Sequence, residues 1–150
     1  MRLLRHLAAI LLLPGVVTVL VPVLLVEDPE LGPVWPLGVL LLAAGLGMMA
    51  WTIGLFATVG RGTLAPWDPT QRLVVRGPYR RVRNPMISGV LGVLLGEAAL
   101  LGSWGLLGWA GVFFVVNNAY FRLVEEPGLR KRFGAEYEDY CRRVRRWVPR

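Results

Sequence analysis

Two clusters of charged and hydrogen-bonding residues sit at the edges of apolar stretches in this chain. The first is Arg76-Gly77-Pro78-Tyr79-Arg80-Arg81-Val82-Arg83-Asn84-Pro85-Met86, which runs straight into an apolar segment. The second is Glu125-Glu126, which closes the next apolar segment and is followed by Phe133-Gly134, Tyr137, Tyr140 and Val148-Pro149. Asn84 is a favourable N-cap and Pro85 suits the first helical position, so a helix is expected to begin there. The free N–H groups and dipole of such a helix start, with arginines just ahead of it, make a site for an anion. Adjacent glutamates point about 100° apart on a helix, so one can face the bundle while the other meets water or Arg122.

Taken singly, each cluster has a plain reading: a basic loop against lipid headgroups, and a solvated carboxylate pair. Together they match a ligand that carries several kinds of group at once. Arginines at a helix start suit a carboxylate, and glutamates suit an ammonium or ribose hydroxyls. Tyr79 and Tyr137 can pack on an aromatic base or close the pocket over it. S-adenosylmethionine carries all of these groups.

The elements that must position these residues are apolar. The chain has 150 residues, 55% of them hydrophobic, a length that suits one domain over 1–150. Residues 7–26 and 34–59 carry no charge, 85–101 carry only Glu97, and 104–121 carry none. A bilayer core needs about 20 helical residues, so four transmembrane spans are expected, at about 7–26, 34–59, 85–101 and 104–124. A soluble protein with four such runs would have too little polar surface to coat itself. Arg2 and Arg5 ahead of the first run resemble the start of a secretory signal. No small-residue cleavage site follows at 21–26, so the first span is expected to be retained.

The formal charge is +7, and its distribution argues against nucleic acid. All 17 Lys and Arg residues precede the first span, lie between spans two and three, or end and follow span four. Glu27, Asp28 and Glu30 occupy the connection between spans one and two, which has no basic residue. This pattern places both termini in the cytoplasm, as expected for a prokaryotic inner membrane protein. The arginines then meet anionic membrane lipids. The lone Cys141 lies on the reducing side.

Span one should bend at Pro14 or Pro22. The loop 60–84 is long for so small a protein, and Trp67, Leu73, Val74, Val75 and Tyr79 suggest that it folds against the membrane face. The brief connection at Gly102-Ser103 makes spans three and four an antiparallel hairpin. Gly89, Gly92 and Gly96 share one face of span three, which either packs closely on another helix or lines a groove. A C-terminal amphipathic helix is expected over 128–146, with Leu129, Phe133, Tyr137, Cys141 and Val144 on its apolar face. Glu138–Arg142 and Asp139–Arg143 are spaced for ion pairs on it. Glu97, deep in span three, must be protonated, paired or facing a wet cavity. Asn117 and Asn118 read as polar contacts between helices.

The two clusters resemble the signature of the integral membrane methyltransferases that include isoprenylcysteine carboxyl methyltransferases and phospholipid methyltransferases. The residues that carry the likeness are Gly77-Pro78-Tyr79, Arg83-Asn84-Pro85-Met86, Gly89, Glu125-Glu126, Phe133-Gly134, Tyr137 and Val148-Pro149. Asn84 stands where the isoprenylcysteine enzymes have His, and Ile87 where they have Tyr. Phospholipid methyltransferases share the Asn-Pro-Met sequence, and Gly45-Leu46-Gly47 matches their earlier Gly-x-Gly. The resemblance implies an all-α membrane bundle and S-adenosylmethionine as methyl donor. It implies donor contacts from Tyr79, Arg83, Asn84, Pro85, Gly89, Glu125, Glu126 and Tyr137, with Arg83 and Glu125 in catalysis. The acceptor would be lipid-like and enter from the bilayer. A four-span proton-coupled transporter built on Glu97, or a catalytically silent scaffold, are the competing expectations.

Overall fold

The computed structural model describes residues 11–61 and 70–149. Arg2, Arg5 and the start of the first span lie outside the described residues, as does Trp67 in the long loop. Every regular element among the described residues is helical. Helix α1 combines widened, π-type turns over Leu11–Leu20 with a regular segment, Val21–Leu25. Pro14 and Pro22 each remove a backbone donor, and the wide turns fall around the first of them. Helix α2 spans Trp35–Leu55 and ends in another widened turn, Phe56–Gly60. Helix α3 is Pro85–Leu101 and α4 is Trp104–Tyr120.

The α3–α4 turn is built from local chemistry. Gly102 ends α3 in the left-handed conformation (φ 58°), which glycine adopts without strain. Ser103 then caps α4, its Oγ accepting from Leu106 N at 3.3 Å. At the other end of α3, Pro85 occupies the first turn as expected, but the Asn84 side chain makes no capping hydrogen bond. Its backbone carbonyl accepts instead from Ser88 N and Ser88 Oγ.

The end of the chain departs from expectation in two ways. No break separates α4 from the next helix: a widened turn, Phe121–Glu125, leads directly into α5, Glu126–Arg143. Pro127 does not interrupt the rod: it follows directly on the widened turn Phe121–Glu125. The interruption comes at Gly134, whose φ of 52° and ψ of −127° are not helical. The helix also stops at Arg143, short of the expected 146. Val144 is extended, and Arg145 pairs with the strand-like backbone before α3, accepting from Arg83 N at 2.9 Å. Of the two anticipated ion pairs on α5, Asp139 meets Arg143 and also Arg142, while Glu138–Arg142 is not formed.

Glycines hold α2 against α3. A Cβ on Gly38 would fall 2.5 Å from Leu100 N, on Gly45 2.6 Å from Val93 N, and on Gly96 2.7 Å from Leu42 N. Such distances mean that the helices touch through their backbones. The glycine face of α3 is therefore filled by α2 and is not an open groove. Met49, Val90, Val93, Leu94, Ala110 and Phe113 form the core beside this contact. Helix α1 is tied across α4 by Trp109 Nε1, which donates to Val17 O at 3.1 Å.

Two continuous helical stretches are long and apolar enough to cross a membrane, α2 with its widened turn (Trp35–Gly60) and the rod from α4 into α5 (Trp104–Arg143), with mean hydropathy of 2.0 and 1.2 over their most apolar parts. Only 17% of each stretch is buried, so neither is a hidden core helix of a soluble fold. Leu40, Leu46 and Trp51 on α2 and Val112, Val115 and Val116 on α4 point outward. Trp35 and Trp104 are exposed at the same end of the bundle, opposite to Arg83. Helix α1 as described and the 17-residue α3 are shorter apolar helices.

Candidate functional site

The site is assembled where three separate stretches of chain meet. A sharp turn at Gly77 (φ 55°) opens the short 3-10 segment Gly77–Arg80 and presses against the Trp51 ring. That turn buries Tyr79, whose ring stacks on Phe56 with centroids 5.6 Å apart. Tyr79 is fixed from the other side too, since its carbonyl accepts from Tyr140 Oη at 2.8 Å. The extended residues Val82 and Arg83 then lead to the start of α3.

Arg83 reaches from there to α5. Its Nη1 donates to Glu126 Oε1 at 2.8 Å and to Cys141 Sγ at 3.0 Å. Glu126 is also gripped by Arg146, which donates through Nε and Nη2 to Oε1 at 3.0 and 2.9 Å and through Nη2 to Oε2 at 3.0 Å. The side chains of Arg83, Glu126 and Arg146 are 13%, 7% and 19% exposed, so water screens this ion triad little. Arg146 packs over the Phe121 ring, and Trp147 anchors the tail by donating to Asn118 Oδ1 at 3.2 Å.

In front of the triad lies a cavity of about 60 Å³, walled in part by Tyr79, Arg83, Glu125, Tyr137 and Tyr140. Among the described residues, Arg83 Nε, Asn84 Nδ2 and Tyr137 Oη are buried without hydrogen-bond partners. Unmade hydrogen bonds of this kind are costly in a folded protein. Glu125 is exposed as a residue, while its carboxyl end is partly desolvated beside the cavity that it lines. That desolvation, and then the charge of Glu126, push its pKa up to about 7. Burial, then Glu125, then Tyr140, raise the Tyr79 phenol well above its ordinary value, so it stays protonated.

A second, open cleft of about 590 Å³ lies alongside, with Arg61, Arg72, Arg76, Phe133 and Glu136 in its walls. The two spaces share Leu73. Small-molecule sites usually enclose about 300–1,000 Å³, a range that the open cleft reaches and the inner cavity alone does not.

The structure brings Tyr79, Arg83, Glu125 and Tyr137 around one cavity. Pro85 is buried at the start of α3, behind Asn84. Gly89 is not at the cavity: its free side meets Gly45 O and Met49 on α2. Gly45 lies in the same helix contact, while Gly47 faces open space. Glu126 is in direct contact with Arg83. Asn117 bonds within its own helix, to Phe113 O at 2.9 Å. Tyr140, part of the second sequence cluster, is at the cavity too, while Phe56, Phe121 and Arg146 join the site without having been singled out by sequence. Arg146 is one of four arginines, two on each side of Val144, and nothing in spacing marks it from the others.

Residues 34–136 match the family model of the phospholipid methyltransferases. That is more than half of the chain, and the chain belongs to this family. No curated protein and no solved structure matches it. The matched region includes Arg83, Glu125 and Glu126 and ends before Tyr137, Tyr140, Cys141 and Arg146. Family and exposed apolar helices agree on a membrane protein of methyltransferase type.

Proposed function

We propose that this chain transfers a methyl group from S-adenosylmethionine to a lipid-like acceptor at the cytoplasmic face of a membrane. The observation that carries the reading is the single cavity wall shared by Arg83, with its unpartnered Nε, and the Glu125 carboxyl. Opposite charges lining one cavity complement the carboxylate and ammonium at the amino-acid end of the donor. Tyr137 Oη offers a further free donor beside them. The donor would supply an electrophilic methyl on a sulfonium, which needs no activation by the protein.

The chain's own residues would bind, orient and exclude water. Arg83 holds the carboxylate end. The packed rings of Phe56 and Tyr79 give an apolar surface for the remainder. Positioning and exclusion of water are then the main catalytic terms. A carboxylate acceptor requires no base. An amine acceptor must lose a proton, and Glu125, poised near 7, is able to take it.

Four spans with both termini in the cytoplasm complete the proposal. Arg76, Arg80, Arg81 and Arg83 gather at the site end of the bundle, and Glu27, Asp28 and Glu30 at the other, as the positive-inside rule requires. Glu97, with one carboxyl oxygen unpartnered among the described residues, is what a transporter would use. The family match weighs for methyl transfer instead, and unpartnered polar atoms at the cavity weigh against a silent scaffold. Calorimetric titration of the detergent-solubilised protein with S-adenosylhomocysteine tests the reading. Micromolar binding is expected; no binding by protein of verified fold would sink it.

A further inference from the structure

We infer that Arg146 is a positioning residue of this site, one that keeps the Arg83 guanidinium available to an anionic group in the cavity by sharing Glu126 with it. The inference rests on the reading of the cavity as a donor site. It concerns a residue beyond the region that matches the family.

The geometry divides the work between the two arginines. Arg146 takes both oxygens of Glu126 with its fork, while Arg83 touches only Oε1 and only through Nη1. Arg83 Nε is left buried and unpartnered, and Arg83 is the one of the two that walls the cavity. Two guanidiniums face one carboxylate, so the triad keeps one positive charge uncompensated. Without Arg146, Glu126 would neutralise Arg83 fully and be free to turn onto its remaining N–H groups. A carboxylate entering the cavity would then meet a closed ion pair and would have to break it. The tail is placed for this task by contacts that do not involve Arg146: Arg83 N to Arg145 O at 2.9 Å, and Trp147 Nε1 to Asn118 Oδ1 at 3.2 Å.

Two ligands separate positioning from a merely structural role. S-adenosylhomocysteine carries the amino-acid end, and methylthioadenosine has the same nucleoside without it. Arg146→Gln should weaken S-adenosylhomocysteine about tenfold in calorimetric titration, the order expected for one charge-assisted contact. It should leave methylthioadenosine within about twofold of wild type. Arg146→Lys keeps the charge and should recover most of the lost affinity. Equal weakening of both ligands would mean that Arg146 only supports the fold, and unchanged S-adenosylhomocysteine affinity would mean that it does not act on Arg83; either overturns the inference. Wild type that binds neither ligand removes the donor-site reading itself, and the inference with it.

Discussion

Arg83 and Glu126 are 43 residues apart in sequence and 2.8 Å apart in the structure. The contact joins Arg83, two residues before α3, to the first residue of α5. It exists because the Gly102-Ser103 turn folds α3 back along α4, so that the start of one helix and the end of the other reach the same level. The extended tail then adds Arg146 to the pair. The ends of an apolar hairpin, which would otherwise be plain polar caps, thereby become a buried electrostatic cluster beside a cavity.

Removing different members of this cluster should have different costs. Arg83→Ala leaves Glu126 still paired to Arg146, so the fold should survive with a modest loss of thermal stability. The same change removes the free Nε donor at the cavity. Loss of one charged hydrogen bond costs about 1.5–3 kcal/mol, so affinity for S-adenosylhomocysteine should fall roughly 10- to 150-fold. Glu126→Gln leaves two buried guanidiniums without a counter-charge. It should lower the melting temperature more than Arg83→Ala does. The reverse ranking in thermal melts would mean that the triad is not a stabilising unit.

Glu125 should make the protein pH-sensitive in a defined direction. Its pKa in the fold is raised from 4.5 to about 7. Between those values the folded state binds more protons at this site than the unfolded chain does. Stability contributed by this site therefore falls as pH rises from about 4.5 to 7, and levels off above. Glu125→Gln removes the effect, so the variant should gain on wild type in melting temperature across that window. A constant difference between the two from pH 5 to 8 would show that the carboxyl is not desolvated. Methyl transfer to an amine acceptor should run in the opposite sense, rising through pH 7 as Glu125 becomes available as a base.

How much of this was legible in the sequence depends on the range of the interaction. Helix starts and turns follow local rules, and Pro85, Gly102 and Ser103 mark them plainly. The apolar runs show which stretches form the outward-facing helices. The neighbourhood of Arg83 and Glu125 followed from the short hairpin turn, since that turn sets helix ends side by side. Two kinds of fact were hidden. Gly134 leaves the helix, and Pro127 does not, because Pro127 falls in a first turn that a widened segment prepares. The second partner of Glu126 is Arg146, which a helix running to 146 would have turned elsewhere. Only the extended course of Val144 and Arg145 brings it in, and that course is set by a long-range backbone pairing with Val82 and Arg83.

The glycine contact between α2 and α3 gives a test of packing that is independent of the site. Gly45→Ala puts a methyl 2.6 Å from Val93 N, where only a shift of the backbone relieves it. Overpacking of this kind typically costs about 1–3 kcal/mol. Gly47→Ala, two residues on, meets nothing within 4 Å and should melt like wild type. Equal melting of the two variants in detergent would show that the helices do not touch through Gly45.

Glu97 should be dispensable for donor binding. It lies 12 residues beyond Pro85 on α3, which is roughly 18 Å along the helix axis from the cavity end. Glu97→Gln should keep S-adenosylhomocysteine affinity within a few-fold of wild type. Abolished binding here, with Glu125→Gln silent, would place the ligand in the wrong half of the bundle for the site described.

Orientation in the membrane can be read from two thiols. The proposal puts Asp28 outside the cell and the site end, with Cys141, inside. Asp28 is exposed in the connection between α1 and α2, so a cysteine placed there is accessible. Cys141 is the single native cysteine, half-buried against Arg83, and serves as the internal reference. In intact cells an impermeant maleimide should label Asp28→Cys and leave Cys141 unmodified. After the membrane is permeabilised and the protein unfolded, both should react, which excludes a trivial failure of the reagent. Labelling of Cys141 alone in intact cells would invert the bundle. The arginine-rich end would then lie on the side that a cytosolic methyl donor does not reach, and the proposed reaction would lose its supply.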